Sequence, residues 1–341
     1  MKPHGRNADR SDGDFGAVAR VRATAVGTAV TIALLAAAVA TPARAQATEP
    51  FVQSEDAENG QTTENWRQGY LQATGIGTAD PGDNPVQAEA MAVQAARVVA
   101  QSRLLKLISG VTIRSKNLVK NASLDKQLIA TEAQGSLEGA VTVDKQVEWV
   151  SGSQYGSSKS YPKATVVMRV CLRNFARACQ QHGGGGAGVY QQMQNVLNDQ
   201  PDEAGAETAD AAGRSARGQI SGDLADAAEQ ATGVILNLRG AFQYTPDLTP
   251  VVKDADGKVV YAYDMIDRAA VMKNGPLQYV TDIQEATSLD QLGDHPYVVD
   301  VQNVTSDGTI IISNRDAAVL RAANGRSGLL DQAQVAVAQR G

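Results

Sequence analysis

The sequence predicts an α+β protein with two small domains, each a mainly antiparallel sheet with packed helices, joined by a flexible linker. Apolar residues fall at about every second position over Leu137–Trp149 and Tyr161–Leu172, the period of a half-buried strand. Small and apolar residues recur at spacings of three and four between Val86 and Ser109, which indicates a helix. Residues 181–230 are rich in Gly, Ala, Asp and Glu and separate the two ordered parts.

The first 45 residues have the pattern of an export signal. Arg20 and Arg22 precede an apolar stretch over residues 25–40, and small residues predict cleavage after Ala45. That stretch of about 16 residues is shorter than the ~20 of a membrane span, which disfavours the alternative of a retained anchor. We therefore expect a periplasmic protein, free or associated with the outer membrane, with no stable membrane insertion after cleavage.

The first domain is predicted over residues 63–180, after a disordered polar tether over 46–62. Four elements should precede the antiparallel pair: a strand over 66–79, a helix over 86–109, a strand over 111–114 and a helix over 124–134. Gly110 is expected to end the first helix, because glycine tolerates positive φ at that position. Both helices should lie on one face of the sheet.

The second domain is predicted over residues 231–341, after a linker that holds the glycine run Gly183–Gly186 and a short helix near 190–197. Its expected elements are a strand over 234–238, hairpin arms at 251–252 and 259–261, a second hairpin with arms at 297–304 and 309–312, a helix over 314–323 and a final strand over 334–338. No phosphate-binding pattern follows the glycine run, so we interpret that run as part of a linker.

Two cysteines, Cys171 and Cys179, remain after signal cleavage, and an oxidising periplasm would allow them to form a disulfide. Cys171 falls on the wetter face of the strand over 161–172, where its thiol is free to meet a residue of the following loop. A redox pair and two unpaired thiols are the alternatives that stay open. The spacing is not that of a Cys-x-x-Cys redox site.

The sequence contains no recognisable catalytic, cofactor-binding or metal-binding constellation. His182 and His295 are isolated and make neither a triad nor a metal pair. Asp254-Ala255-Asp256-Gly257 resembles the opening of a calcium loop but has no closing Glu, which favours a hairpin turn.

Two further polar groups fit helix starts better than chemistry. Asp264 and Asp267 lie three residues apart at the start of an expected helix, where carboxylates interact favourably with the helix dipole. Ser313 precedes the helix over 314–323 and fits a capping role. We therefore expect no enzyme activity and no cofactor.

The order of small and apolar residues over about 64–172 resembles the LPP-twenty lipoprotein family and the N-terminal domain of flagellar assembly protein T. The resemblance is carried by Trp66, Ala73-Thr74-Gly75-Ile76-Gly77, the alanines and Leu104-Leu105 of the long helix, Ile108–Ile113 and Leu137–Val141. Lipoprotein members carry a Cys at the cleavage point, whereas Gln46 follows Ala45 here. The resemblance implies a role in outer-membrane or flagellar ring assembly.

The resemblance and the absence of recognisable catalytic groups together predict a non-enzymatic cell-envelope protein that acts by associating with other envelope proteins. Residues 1–45 hold six basic and three acidic residues, so cleavage changes the formal charge from −6 to −9. That charge repels nucleic acid, which requires a concentrated basic face. Two alternatives stay open: a periplasmic module that binds a small ligand or a glycan, and an enzyme whose active site has no recognisable motif.

Overall fold

The computed structural model of the protein describes residues 51–57, 60–81, 84–116, 135–155, 159–173, 179, 181, 188–198, 222–238 and 244–339. The predicted export signal, the predicted helix over 124–134, the glycine run, His182 and residues 199–221 of the predicted linker lie outside the described residues. The domain boundaries therefore stay a prediction.

The first part of the chain forms a five-stranded antiparallel sheet, sheet A. Its strands are β1 (Val52–Ala57), β2 (Gly60–Asn65), β3 (Tyr70–Thr78), β4 (Val141–Ser151) and β5 (Ser160–Cys171). They lie in the order β1-β2-β3-β5-β4. The antiparallel β4–β5 pair predicted from the alternating pattern is confirmed. The tether predicted over 46–62 differs from the structure, because β1 and the start of β2 fall in it and continue the sheet beyond β3.

Helix α1 (Pro85–Lys116) packs on sheet A, mainly over β3 and β5. Its sheet-facing residues Ala92, Ala96 and Ala100 are completely buried. The helix comes so close that a Cβ added at Gly75 would lie 2.0 Å from the Ala96 carbonyl oxygen. The pairing of glycines in β3 with alanines in α1 therefore fixes the distance between the helix and the sheet.

The predicted end of this helix at Gly110 and the predicted strand over 111–114 are both wrong. Helix α1 continues for six residues past Gly110, where nothing lies within 4 Å of an added Cβ. The extra turns bury Val111 and Ser115 against the second part of the chain. This burial outweighs the strand propensity of the β-branched residues in the segment.

Two short helices precede the second part of the chain. Helix α2 (Val189–Asn198) confirms the short helix predicted near 190–197, and its residues Val189 and Tyr190 are buried. Helix α3 (Asp223–Gln230) lies within the stretch predicted as linker and packs against the last helix of the fold. Parts of the predicted linker are therefore ordered.

The second part contains a four-stranded sheet, sheet B, in which every strand pair is parallel. Its strands are β6 (Gly233–Asn237), β9 (Gln278–Val280), β10 (Pro296–Asp300) and β13 (Val335–Ala338), in the order β10-β6-β13-β9. The prediction of a mainly antiparallel second sheet is wrong. Its central strands β6 and β13 are buried on both faces, which is usual for parallel sheets and leaves no alternating pattern.

A second four-stranded sheet, sheet C, is mixed. It consists of β7 (Val251–Asp254), β8 (Val259–Ala262), β11 (Asn303–Val304) and β12 (Ile310–Ile312), in the order β11-β12-β7-β8. The hairpin β7–β8 is confirmed. The arm predicted over 297–304 is split: the Val301 N–H donates to Asn237 in sheet B, whereas the Gln302 N–H donates to Ile311 in sheet C.

Three helices complete the second part: α4 (Arg268–Asn274), α5 (Ile283–Thr287) and α6 (Asn314–Ser327). The helix predicted over 314–323 is confirmed and extends to Ser327. One face of sheet B contributes to the large core that runs through the molecule, and α5 covers the other face over Ile235 and Ala336. No helix of the described residues is both long and apolar enough to span a membrane.

The two parts of the chain share one hydrophobic core. The ring of Tyr279 in β9 lies 5.0 Å from Phe51 and 5.9 Å from Trp66, measured between centroids. At the end of α1, the Leu248 N–H donates to the Ser115 hydroxyl at 2.9 Å. Aromatic packing thus joins sheet A to sheet B, and a buried hydrogen bond joins helix α1 to the segment that precedes β7.

Candidate functional site

Strand β4 presents an open edge of sheet A. Among the described residues, no strand pairs with its outer side. The predicted half-buried face of this strand is formed only in part: Val141 and Val143 are half-buried, whereas Val147 is 36% exposed and Trp149 is 42% exposed. Helix α1 contacts β4 through Glu89, which accepts a hydrogen bond from the Trp149 indole at 2.7 Å. An edge with exposed apolar side chains is a candidate surface for protein association.

Alternate backbone groups of β4 point away from the sheet. The Gly152 N–H donates to the Lys159 carbonyl, and hydrogen-bonded pairs alternate with non-bonded pairs along an antiparallel ladder. Counting back along the register places Val147 and Trp149 in non-bonded pairs, and Trp149 lies opposite Pro162, which has no N–H. The N–H and C=O groups of Val147 and Trp149 therefore face the outer edge, where an added strand would bind.

A second candidate is a pocket of about 250 Å³ between sheet A and sheet B, which we call the junction pocket. It lies where the turn after β2 meets β9 and α5. Its lining residues are Asn65, Arg67, Gln68, Arg173, Gln278, Tyr279, Val280, Glu285 and Leu289. Two arginines and one carboxylate give the pocket a formal charge of one positive unit.

Arg173 is a partly buried cation whose bonding partners are neutral. Its Nη1 group donates to the Asn274 carbonyl and to the Gln278 side-chain oxygen, both at 3.0 Å. Burial lowers the pKa of the Arg173 guanidinium, while Tyr190 acts in the opposite direction. Within the described part of the chain, no carboxylate lies in ion-pair contact with Arg173, so its charge is not compensated there.

The other charges of the junction pocket compensate each other. Arg67 donates to the Glu285 carboxylate at 2.5 Å, and the second carboxylate oxygen accepts from the Thr281 N–H and hydroxyl at 2.8 Å each. Burial acts to raise the pKa of Glu285, but the hydrogen bonds from Thr281 and Arg67 outweigh it, so this pKa is lowered. Glu285 is therefore ionised at neutral pH.

The predicted disulfide is present: Cys171 and Cys179 are bonded, with their Cα atoms 6.2 Å apart. The bond packs against Tyr70 in a small buried cluster. Arg173 lies inside the loop that the disulfide closes, and the neighbouring Leu172 N–H donates to the Gly69 carbonyl at 2.8 Å. The disulfide and this bond hold the backbone that carries Arg173 against sheet A.

The other residues considered from the sequence do not come together as a site. His295 is exposed, and the segment Asp254–Gly257 forms the turn of the β7–β8 hairpin. The Asp254 carboxylate accepts hydrogen bonds from the N–H groups of Asp256 and Lys258 and from the Arg321 guanidinium. Both of its oxygens therefore have a structural role in the turn. No group of three potential metal ligands is found within the described residues.

The helix-start residues take structural positions. Asp267 is the N-cap residue of α4, and Asp264 lies in the single helical turn before it. The Ser313 hydroxyl accepts from the Asp316 N–H at 2.9 Å and caps α6 as predicted.

Nothing in the sequence marks Arg67, Arg173, Gln278 or Glu285 as members of one site. No local pattern could have found them, because the fold brings together residues separated by more than one hundred positions in sequence. The sequence gives one indication: Arg173 lies between the two cysteines, so a disulfide would restrict the position of its backbone.

One family model matches the chain, over residues 233–339: the second domain of Treponema pallidum Tp0624. The match begins where β6 begins and ends just after β13, so it covers sheets B and C. None of the curated proteins matches the chain. The resemblance of residues 64–172 to the LPP-twenty lipoproteins and to flagellar assembly protein T is wrong, because neither family is found.

Proposed function

We propose that this protein is a non-enzymatic component of the cell envelope that associates with another envelope protein through the open edge of β4. The carrying observation is the outward direction of the Val147 and Trp149 backbone groups beside two exposed apolar side chains. An extended segment of the partner would add a strand at this edge, and the Trp149 ring would supply apolar contact area.

Features of the edge also limit uncontrolled pairing. The ladder between β4 and β5 shifts register between Thr142 and Asp144, and Lys145 follows this irregularity. Bulges and charged side chains are typical protections of edge strands against aggregation. The regular stretch from Lys145 to Ser151 remains, so we expect a partner to bind along these seven residues.

The proposed location is supported by the predicted export signal of residues 1–45 and by the disulfide, which suits an oxidising compartment. Cell fractionation and N-terminal sequencing test it. We expect a periplasmic protein that begins at Gln46. A mature protein retained in the inner membrane, or one that begins far from Gln46, would contradict this part of the proposal.

Site-specific photo-crosslinking in cells tests the contact surface. A photo-reactive amino acid placed at Lys145 should give a heteromeric adduct of defined mass, whereas the same group at Val98, an exposed residue of α1, should not. The backbone variant is Val147→Pro, which removes an outward N–H and leaves the β4–β5 bonds in place. Val147→Thr is its control, because it keeps the N–H.

We expect Val147→Pro to abolish the adduct and Val147→Thr to retain it, with similar melting temperatures. An adduct that survives Val147→Pro, or one that forms equally from Val98, would contradict strand addition. A homodimer adduct would also contradict it, because the partner would then be a second copy of this chain.

A further inference from the structure

We infer that the junction pocket binds the carboxylate group of a small monoanionic ligand, with the Arg173 guanidinium as its main contact. This site is separate from the β4 edge and does not depend on the proposed association. Three features support the inference: the unused donors of Arg173, the charge of the pocket, and the way in which Arg173 is held.

The unused donors define what the pocket can bind. A guanidinium carries five N–H donors, and both donors of the Arg173 Nη1 group are occupied by Asn274 and Gln278. No described residue accepts from its Nε or Nη2 groups, which form one edge of the planar fork. Such an edge matches the two oxygens of a carboxylate.

The formal charge of the pocket favours a ligand that carries a single negative charge. Arg67 and Glu285 neutralise each other as an ion pair, so among the described residues that line the pocket Arg173 leaves one uncompensated positive charge. One carboxylate balances this charge in a partly buried site. A dianion such as hydrogen phosphate would meet repulsion from the Glu285 carboxylate, which lines the same pocket.

Arg173 is held in position before any ligand binds. The Asn274 carbonyl at the end of α4 and the Gln278 side chain fix the guanidinium, and the bond from the Leu172 N–H to the Gly69 carbonyl holds the adjacent backbone. Preorganisation of this kind lowers the entropic cost of binding. The Gln68 side chain is exposed at the pocket and adds an amide that can contact the body of the ligand.

The size of the pocket sets the size of the ligand. Pockets for drug-sized ligands have volumes of roughly 300–1,000 Å³, and the junction pocket has about 250 Å³. The ligand is therefore a small carboxylate, or one carboxylate end of a larger molecule.

The test is a titration of the isotope-labelled mature protein with N-acetylglycine, followed by NMR at the Arg173 side chain and at Gln278. We expect saturable shifts, with an affinity for the neutral N-acetylglycinamide and for inorganic phosphate lower by about tenfold or more. Shifts that do not saturate, equal binding of the neutral amide, or tighter binding of phosphate would overturn the inference.

A charge series separates binding from loss of folding. Arg173→Gln and Arg67→Gln each make the pocket formally neutral, the second because it leaves Glu285 unpaired. Each variant should bind N-acetylglycine with an affinity lower by about tenfold. Glu285→Gln should tighten binding, and the double variant Arg67→Gln/Glu285→Gln should recover most of the wild-type affinity. A misfolded protein cannot show these gains, so unchanged or weaker binding in Glu285→Gln would also overturn the inference.

Discussion

Sheets A and B bury their strands in different ways. In sheet A, α1 covers one face of β3 and β5, whose opposite faces are only partly buried, and β4 lies outside this cover. In sheet B, the central strands β6 and β13 lie between the main core on one face and α5 on the other. The comparison indicates that sheet B supplies stability, whereas the outer part of sheet A has surface available for contact with other molecules.

The largest expected difference concerns equivalent truncations in the two sheets. Ile235→Ala in β6 should lower the free energy of unfolding by about 2–5 kcal/mol, because Ile235 is fully buried between the sheet and α5. Val147→Ala in β4 should change it by less than about 0.5 kcal/mol. Urea unfolding of both variants measures the contrast. Similar losses in the two variants would show that β4 is covered in the folded protein.

The disulfide is a second difference, because Cys171 lies at the end of β5 in sheet A and sheet B contains no cysteine. Replacing both cysteines, Cys171→Ser/Cys179→Ser, should lower the free energy of unfolding by about 2–3 kcal/mol, the chain-entropy estimate for so short a loop. Thermal unfolding with and without reductant provides the measurement. Wild-type protein under reductant should match the double variant, and an effect of reductant on the double variant would point to another cause.

Two glycines of the first part differ in the space around them: Gly75 in β3 is crowded by helix α1, whereas Gly110 within α1 has open space. Gly75→Ala should destabilise the protein by about 1–3 kcal/mol, because the new Cβ would collide with the backbone of α1. Gly110→Ala, inside α1 with open space around it, should instead stabilise by roughly 0.5–1 kcal/mol. Denaturant unfolding of both variants checks these opposite signs. A stable Gly75→Ala protein would mean that α1 can move away from β3.

The smallest effect is expected on acidification. Burial acts to raise the pKa of Asp254, but hydrogen bonds from Arg321 and from the Lys258 and Asp256 N–H groups outweigh it, so this pKa is lowered on folding. Since the unfolded state then binds the proton more readily, stability is lost as the pH falls below about 4. In Asp254→Asn the unfolding free energy should fall less steeply with decreasing pH, and the slope should differ from the wild type by less than about 1.4 kcal/mol per pH unit.

An exposed carboxylate of sheet A serves as the control for this acid effect. Glu148 on β4 forms a surface ion pair with Lys163 on β5, and such pairs contribute little to stability. At every pH between 3 and 7, the unfolding free energy of Glu148→Gln should therefore be almost the same as that of the wild-type protein. A larger effect from Glu148 than from Asp254 would reverse the assignment of stability to the second part of the chain.

The same contrast explains which elements the sequence could predict. Strand β5 and helix α1 bury one face each, and one-sided burial leaves a period in the sequence that can be recognised. Strands β6 and β13 are buried on both faces over nearly all of their length, so they show no alternating pattern that would indicate a partner strand or a direction. The parallel order of sheet B depends on contacts between distant segments that no local pattern encodes.

The errors in the first part have specific physical causes. The sequence around Gly110 suggests a helix end followed by a strand, but Ser115 forms buried hydrogen bonds with residues 248 and 249, and these tertiary contacts keep the helix intact. The alternation in β4 predicts a half-buried face, yet helix α1 packs mainly on β3 and β5, so Val147 and Trp149 stay exposed. Arg173 and Glu285 were not predicted, because only the fold brings them to one pocket.

The position of β13 in sheet B affects the order in which this sheet can form. This strand lies between β6 and β9, although both are synthesised before it. A chain that is made from its N-terminus therefore exposes the edges of β6 and β9 until residues 335–338 are available. Sheet B cannot be completed before this segment arrives, and a chain that stops before Val335 lacks the strand that joins the two halves of the sheet. We therefore expect the incomplete chain to need protection from aggregation until this strand arrives.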